Sequence, residues 1–366
     1  MELSVLQEHL ARALTAVGRV ASSRTQLPIL NNILFRTDGT RLLVAAMNME
    51  IASTQFVGAK ISTPGAITVP ARLVSDFVSS LPKGTIELQV KGTQLHISSG
   101  KYSSVINGLG ADDFPELPVI DEEVAVRYSI AVSDFKQAVA QTIVTTSNDA
   151  TRPVLTGVYW HSHEGALYLA GTDGYRLAER RLVETTSEVA AIVPTTSLQE
   201  ALRTITDDIK EIEVLFDESQ VRFRFDEAEV TSQLISGNFP PYRQLIPEKT
   251  ETTVTLPRDE FVRITKIAGL FARDSGGSVT IRASEETKLL SLHSVASELG
   301  ENTSEADATI AGGGSVTLNS RYLSEALGVL DGSTVIFGFS GKLAPTVLTT
   351  SGEDVKYKHI IMPLKS

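Results

Sequence analysis

Six histidines are the side chains best suited to chemistry in a chain of 366 residues that has no cysteine. Two of them form His161-Ser162-His163. Residues two apart in a strand share a face, so this pair could grip a transition metal. A metal site needs a third ligand and none stands nearby; the pair abuts a turn and reads as a surface feature. Gly338-Phe339-Ser340-Gly341-Lys342-Leu343 has the outline of a phosphate loop. Its glycine spacing is wrong and no Ser or Thr follows the lysine, so it reads as a hairpin turn. Gly312-Gly313-Gly314 reads as a flexible loop before a strand. No Gly-x-Ser-x-Gly elbow occurs, and no two carboxylates are set apart for acid–base work. Asn302-Thr303-Ser304 matches a glycosylation triplet that matters only in a secreted protein. The residues therefore predict no catalytic group, no metal and no cofactor. They point to a binding scaffold.

Such a scaffold must be positioned by repeated elements. Phe114-Pro115 and Phe239-Pro240 stand 125 residues apart, and Met362-Pro363 closes the chain after a similar interval. A second marker agrees: an apolar strand followed by a helix start at Pro70-Ala71-Arg72, Pro194-Thr195-Thr196 and Asn319-Ser320-Arg321. A third marker is a short alternating strand at Leu3-Ser4-Val5, Tyr128-Ser129-Ile130 and Val254-Thr255-Leu256. Each of these leads into an amphipathic helix. The apolar faces expected are Leu6, Leu10, Leu14 and Val17; Phe135, Val139 and Ile143; and Phe261, Ile264 and Ile267. The rest of each repeat alternates in short strands, as in Ile86–Val90 and Val221–Phe225. The fold expected is α+β: three units, each of two helices packed on antiparallel sheets, with linkers near 120–126 and 247–252.

The net charge of −11 argues against nucleic acid if spread evenly. It is not spread evenly, because the six expected helices are mildly basic on an acidic body. The lack of cysteine, of a leader-like start and of any membrane-length apolar run leads us to expect a cytoplasmic protein.

Several segments, in order, carry a resemblance. They are Arg24-Thr25-Gln26-Leu27-Pro28, Val69-Pro70-Ala71-Arg72, Ala111-Asp112-Asp113-Phe114-Pro115, Thr172-Asp173-Gly174-Tyr175-Arg176-Leu177, Asn238-Phe239-Pro240-Pro241-Tyr242 and Ile361-Met362-Pro363-Leu364. Over its whole length the chain resembles the bacterial DNA polymerase III beta subunit family, the sliding clamps. The resemblance implies three clamp domains over 1–122, 123–249 and 250–366. Two chains would join head to tail as a homodimer, forming a ring around double-stranded DNA. No reaction is implied. The implied partners are the replicative polymerase alpha subunit, the clamp loader delta subunit, and other polymerases and repair proteins bearing clamp-binding peptides.

Residue by residue, the resemblance assigns Arg24, Arg72, Arg152 and Arg203 to DNA. It assigns a peptide pocket to Leu155, Thr172, Gly174, Tyr175, Arg176, Leu177, Pro240, Leu245, Asn319, Tyr322, Ala344, Thr346, Ile360, Met362, Pro363 and Leu364. Ser104 and Ile106 on one edge, and Leu270 and Phe271 on the other, would close the dimer. The chain departs from the family pattern at Pro153-Val154, Thr195-Thr196, Gly276 and the Lys365-Ser366 ending. Without the resemblance, the residues leave open a monomeric repeat scaffold that binds only proteins.

Overall fold

Apolar side chains at helical spacing produce six α-helices among the residues described by the computed structural model, which are 1–21, 27–298, 300–352 and 355–365. They are α1 (Gln7–Ala21), α2 (Ala71–Ser80), α3 (Val132–Ile143), α4 (Thr195–Thr204), α5 (Arg258–Phe271) and α6 (Ser320–Val329). Each lies close to its expected span. Two expected core residues face outward instead. Leu6 ends the strand Glu2–Leu6 rather than opening α1, and it is exposed. Ile267 is also exposed, because α5 buries Phe261, Ile264, Thr265 and Ala268. At 100° per residue, position 267 falls off the face that 261 and 268 share.

The chain folds into two compact units, Met1–Val132 with Thr196–Leu234, and Ser133–Thr195 with Ile235–Ser366. In the first, one antiparallel sheet starts at the edge strand Tyr102–Asn107. It passes through Gln94–Ser99, Thr85–Lys91, Glu2–Leu6, Ile51–Thr63 and Ala228–Gln233, and ends at Val126–Ala131. In the second, a nine-stranded sheet runs from Ala190–Pro194 through Gly157–His163, Ala166–Thr172, Arg176–Glu184 and Tyr357–Ile361 to Thr309–Ala311. A four-stranded sheet, ordered Gly300–Asp307, Leu289–Ala296, Ser278–Ser284 and Gly314–Asn319, completes that unit.

The sheets run through the sequence repeats rather than stopping at them. The middle repeat lends strands to both units, and each unit contains one junction between repeats. At the first junction Ala52 pairs with Thr231 and Thr54 with Glu229. At the second, Leu177 pairs with Ile360 and Glu179 with Lys358. The first members of these pairs stand one repeat apart, so the same register is built twice.

Burial of large side chains drives both units, at about 1.5–3 kcal/mol for each fully buried Leu or Phe. The single tryptophan, Trp160, lies fully buried in the second unit with its ring 6.4 Å from that of Phe135. Phe261, Phe337 and Phe339 pack successively in the same unit. The expected hairpin at Gly338–Leu343 joins the strands Thr334–Phe339 and Thr346–Thr350. The triple-glycine segment joins the strands Thr309–Ala311 and Gly314–Asn319, a loop before a strand as expected. Gly312 has φ +75°, and a Cβ there would meet the Glu251 carbonyl at 2.3 Å. Glycine is required at this position by close packing. No helix among the described residues is long and apolar enough to cross a membrane.

Candidate functional site

A six-residue turn, Thr172 to Leu177, organises the candidate site in the second unit. The Asp173 carboxylate accepts from the backbone N–H groups of Tyr175 (2.9 Å) and Arg176 (3.1 Å), an Asx-type turn. Thr172 donates to the Arg176 carbonyl at 2.7 Å and accepts from Gly174 N–H at 3.1 Å. Gly174 sits at φ +93°, where a side chain would strain the backbone. The result presents Tyr175 to solvent while turning Arg176 inward.

The buried Arg176 guanidinium donates to Asp173 at 3.0 Å and to Glu325, and lies 4.3 Å above the Tyr322 ring. Both acids and the ring compensate its charge. Asn319 caps α6, accepting from Arg321 N–H at 2.9 Å, and so fixes the helix start that carries Tyr322. The tail is tied to the same turn. Met362 N–H donates to the Tyr175 carbonyl at 2.9 Å, and Leu364 N–H to the Thr317 carbonyl at 2.8 Å. Thr346 donates to the Ile361 carbonyl at 3.0 Å. Met362, Pro363 and Leu364 remain half-buried.

Beneath the turn, Leu177 and Ile360 pack with Ala170, Tyr159, Phe239, Tyr242, Ile246 and Val347. Leu155 is buried at the end of a short turn begun by Pro153. Pro240 and Leu245 are exposed on the linker that follows Phe239, and Ala344 is half-buried in the hairpin. The structure thus joins the turn, α6 and the tail through direct contacts. Leu155 and Ala344, and Pro240 with Leu245 on the linker, stand on other elements of the same unit. Gly276 adopts φ +66°, and a Cβ there would meet nothing within 4 Å.

His161 corrects the expectation of a surface pair. It is buried, with Nε2 2.7 Å from the Tyr242 hydroxyl, while His163 stays half-exposed. Burial first, and then the nearby Arg243 charge, push the His161 pKa down to about 4. No cluster of three potential metal ligands occurs among the described residues. No local signal marks the burial of His161: Tyr159 and His163, which share its strand face, are half-buried, and its partner Tyr242 is distant in sequence.

The cations assigned to DNA are dispersed. Arg24 lies outside the described residues. Arg72 opens α2 almost fully exposed, 3.8 Å from Asp76. Arg152 donates to Asp149 at 3.1 Å. Hydrogen bonds from Thr151, and then from Arg152, hold the Asp149 carboxyl below the usual range. Arg203 lies 3.5 Å from the buried Glu200, which also accepts from Arg19 on α1 at 2.9 Å. Arg19 and the exposed Arg12, both on α1, are further cations that the resemblance does not assign. Arg12 sits away from the Leu10, Leu14 and Val17 face, which was the available signal.

The residues assigned to dimer closure fall on an edge strand and at the end of a helix. Tyr102–Asn107 is an edge strand. Ile106 points into the core of its own unit and Ser104 is half-buried; Tyr102 and Val105 are the apolar side chains that face out. Leu270 is exposed at the end of α5, and Phe271 is half-buried. Another edge strand, Gly300–Asp307, presents Glu301, Glu305 and Asp307.

Family models of the DNA polymerase III beta subunit match the chain in order. The N-terminal domain model covers residues 1–118, the central domain 129–241 and the C-terminal domain 243–365. The beta sliding clamp of Staphylococcus aureus (strain Mu50 / ATCC 700699) is 30% identical over 379 residues, covering 100% of both chains. The chain belongs to the bacterial DNA polymerase III beta subunit family, the sliding clamps of DNA replication. The beta sliding clamp of Bacillus subtilis (strain 168) is 28% identical over 380 residues, again covering 100% of both. The crystal structure of the Bacillus subtilis DNA polymerase sliding clamp superposes with TM-score 0.94 at 28% identity, over 100% of this chain and 99% of that one. The beta subunit from the DNA polymerase of Streptococcus pyogenes gives 0.94 at 25% identity, over 100% of both chains.

Proposed function

We propose that this chain is a processivity factor. In this reading two copies close head to tail into a ring of six repeats around duplex DNA. The ring slides without sequence preference and tethers the replicative polymerase alpha subunit, the clamp loader delta subunit and other DNA-processing proteins. The divisions 1–122, 123–249 and 250–366 are the three clamp domains of that ring. The observation that carries the reading is that two of the sheet edges in this family member are complementary in charge. One edge offers Tyr102 and Val105 next to Lys101, and the other offers Glu301, Glu305 and Asp307. Unpaired edges seek strand partners, and these two differ in charge. Exposed cations on the helices suit loose contact with phosphates, which positions a duplex without reading its bases. Such contacts are individually weak, so retention rests on topology.

Sedimentation at micromolar concentration should give a dimer. Loaded onto nicked circular DNA, the protein should stay bound through gel filtration and should leave rapidly once the circle is cut. A monomer, or equal retention on linear DNA, would exclude the ring.

The groove formed by the Thr172–Leu177 turn, α6, the linker and the tail suits a short peptide with apolar anchors. Removal of residues 362–366 should abolish binding of a polymerase-derived peptide and leave the dimer intact. Unchanged peptide affinity would place the binding site elsewhere.

A further inference from the structure

We propose that a buried staple, His161–Tyr242–Glu179–Arg243, sets the position of the linker that walls the peptide groove; this rests on the groove being the peptide site. Pro240 and Leu245 are exposed on the linker, and Tyr242 between them is almost fully buried. The Tyr242 hydroxyl has one proton and donates it to Glu179 at 2.7 Å. Its oxygen then accepts from His161 Nε2–H at 2.7 Å, which sets the histidine tautomer. Arg243, the next residue, pairs with the same Glu179 carboxylate at 3.1 Å and lies 4.5 Å above the Tyr168 ring. His161 is itself fixed by stacking against Tyr159 at 4.8 Å, and Phe239 stacks on the same tyrosine at 4.9 Å.

Each of the four residues has a partner within the network, and the donors converge on the Glu179 carboxylate. Such a network specifies one arrangement, since any shift leaves a buried polar group unpaired. Leu245 N–H donates to the Tyr242 carbonyl at 2.9 Å, so the turn carrying Leu245 is built directly on the stapled residue.

The internal repeat supplies a control. One repeat earlier, the positions of His161, Glu179, Tyr242 and Arg243 are held by Arg36, Thr54, Leu117 and Pro118. The strand register is the same, yet no such network forms there. The first linker is held instead by Arg222, which donates to the Pro118 carbonyl at 2.8 Å. A cavity of about 490 Å³, lined in part by Arg36, Thr54, Leu117 and Pro118, occupies that position. A staple needed merely to join repeats would be expected at both junctions. It stands only at the junction that carries the groove.

The test measures binding of a fluorescein-labelled peptide, carrying the clamp-binding segment of the replicative polymerase alpha subunit, to the full chain and four variants. Y242F and H161F should each weaken binding about tenfold, the scale of one lost hydrogen bond to a charged network. H161Q should stay near wild type, because its amide N–H can replace Nε2–H. Amide exchange over linker residues 236–247 should quicken in Y242F and H161F but not in H161Q, with the dimer retained. Unchanged affinity in Y242F and H161F, or equal loss in H161F and H161Q, would overturn the staple. The fourth variant, lacking residues 362–366, separates the two readings: if it binds like wild type, the groove assignment itself fails.

Discussion

Replacing Arg176 with alanine is expected to cost about 3–5 kcal/mol of stability in the second unit and to weaken peptide binding at least ~10-fold. The guanidinium is almost fully buried and serves three partners at once: Asp173, Glu325 and the face of Tyr322. Its removal leaves the mostly buried Asp173 carboxylate without its counter-charge, while Glu325 keeps only Arg321, at 3.3 Å. Breaking one side of a buried pair costs more than the pair contributes, because the remaining charge is stranded. Asp173 still accepts from two backbone N–H groups, so the turn should survive. What is lost is the tie from that turn to α6, and with it the spacing between Tyr175 and Tyr322. Lysine at 176 should fall between the two, keeping charge but not the fork that reaches both acids. Urea unfolding followed by peptide anisotropy checks this. Peptide affinity unaffected by the alanine would show that the turn and α6 do not act together on the ligand.

Much of this arrangement was legible in sequence, for identifiable reasons. Helical spacing located α1 to α6, because each buries one stripe against a sheet, and stripes are written in the residue order. The repeat was legible because Phe114-Pro115 and Phe239-Pro240 mark equivalent linkers. The hairpin at Gly341 was legible from its glycine, which takes φ +62°. Other features depend on long-range pairing. Nothing local shows that Leu177 will lie beside Ile360, or that strands of the middle repeat will be shared between two sheets. His161 was misjudged for the same reason. Its near neighbours in sequence suggest a strand end, while its partner Tyr242 comes from a distant linker. The edge strand is where expected, but alternation turns Ile106 inward and leaves Val105 to face out.

The second unit should lose roughly 4 kcal/mol of stability between pH 7.5 and 5 from His161 and His359 alone. His359 is fully buried, with Nδ1 2.7 Å from the Tyr357 hydroxyl, which also lies 3.1 Å from the Gln141 carbonyl. The hydroxyl proton satisfies the carbonyl when Nδ1–H donates to the tyrosine oxygen. Nε2 is then the site left to protonate, and it has no hydrogen-bond partner among the described residues. Burial, and then the Arg176 charge, lower the His359 pKa to about 3. For His161, burial and Arg243 lower it to about 4. Both folded values lie below the ordinary 6.5, so the unfolded chain binds more protons throughout that window. Stability is therefore full above about pH 6.5 and falls with decreasing pH, by about 1.4 kcal/mol per unit for each histidine. The fall from this source ends once the folded groups themselves protonate, near pH 4 for His161 and near pH 3 for His359. Trp160, the single tryptophan, is buried in this unit and reports its unfolding by fluorescence. Urea titrations at a series of pH values should give a slope that the double variant H161Q/H359Q flattens. Its absolute stability will differ, but the pH dependence between 7.5 and 5 should shrink by about 4 kcal/mol. An unchanged slope would mean that both imidazoles already titrate normally in the folded state, and that neither is sealed from water as the packing around Tyr242 and Tyr357 requires.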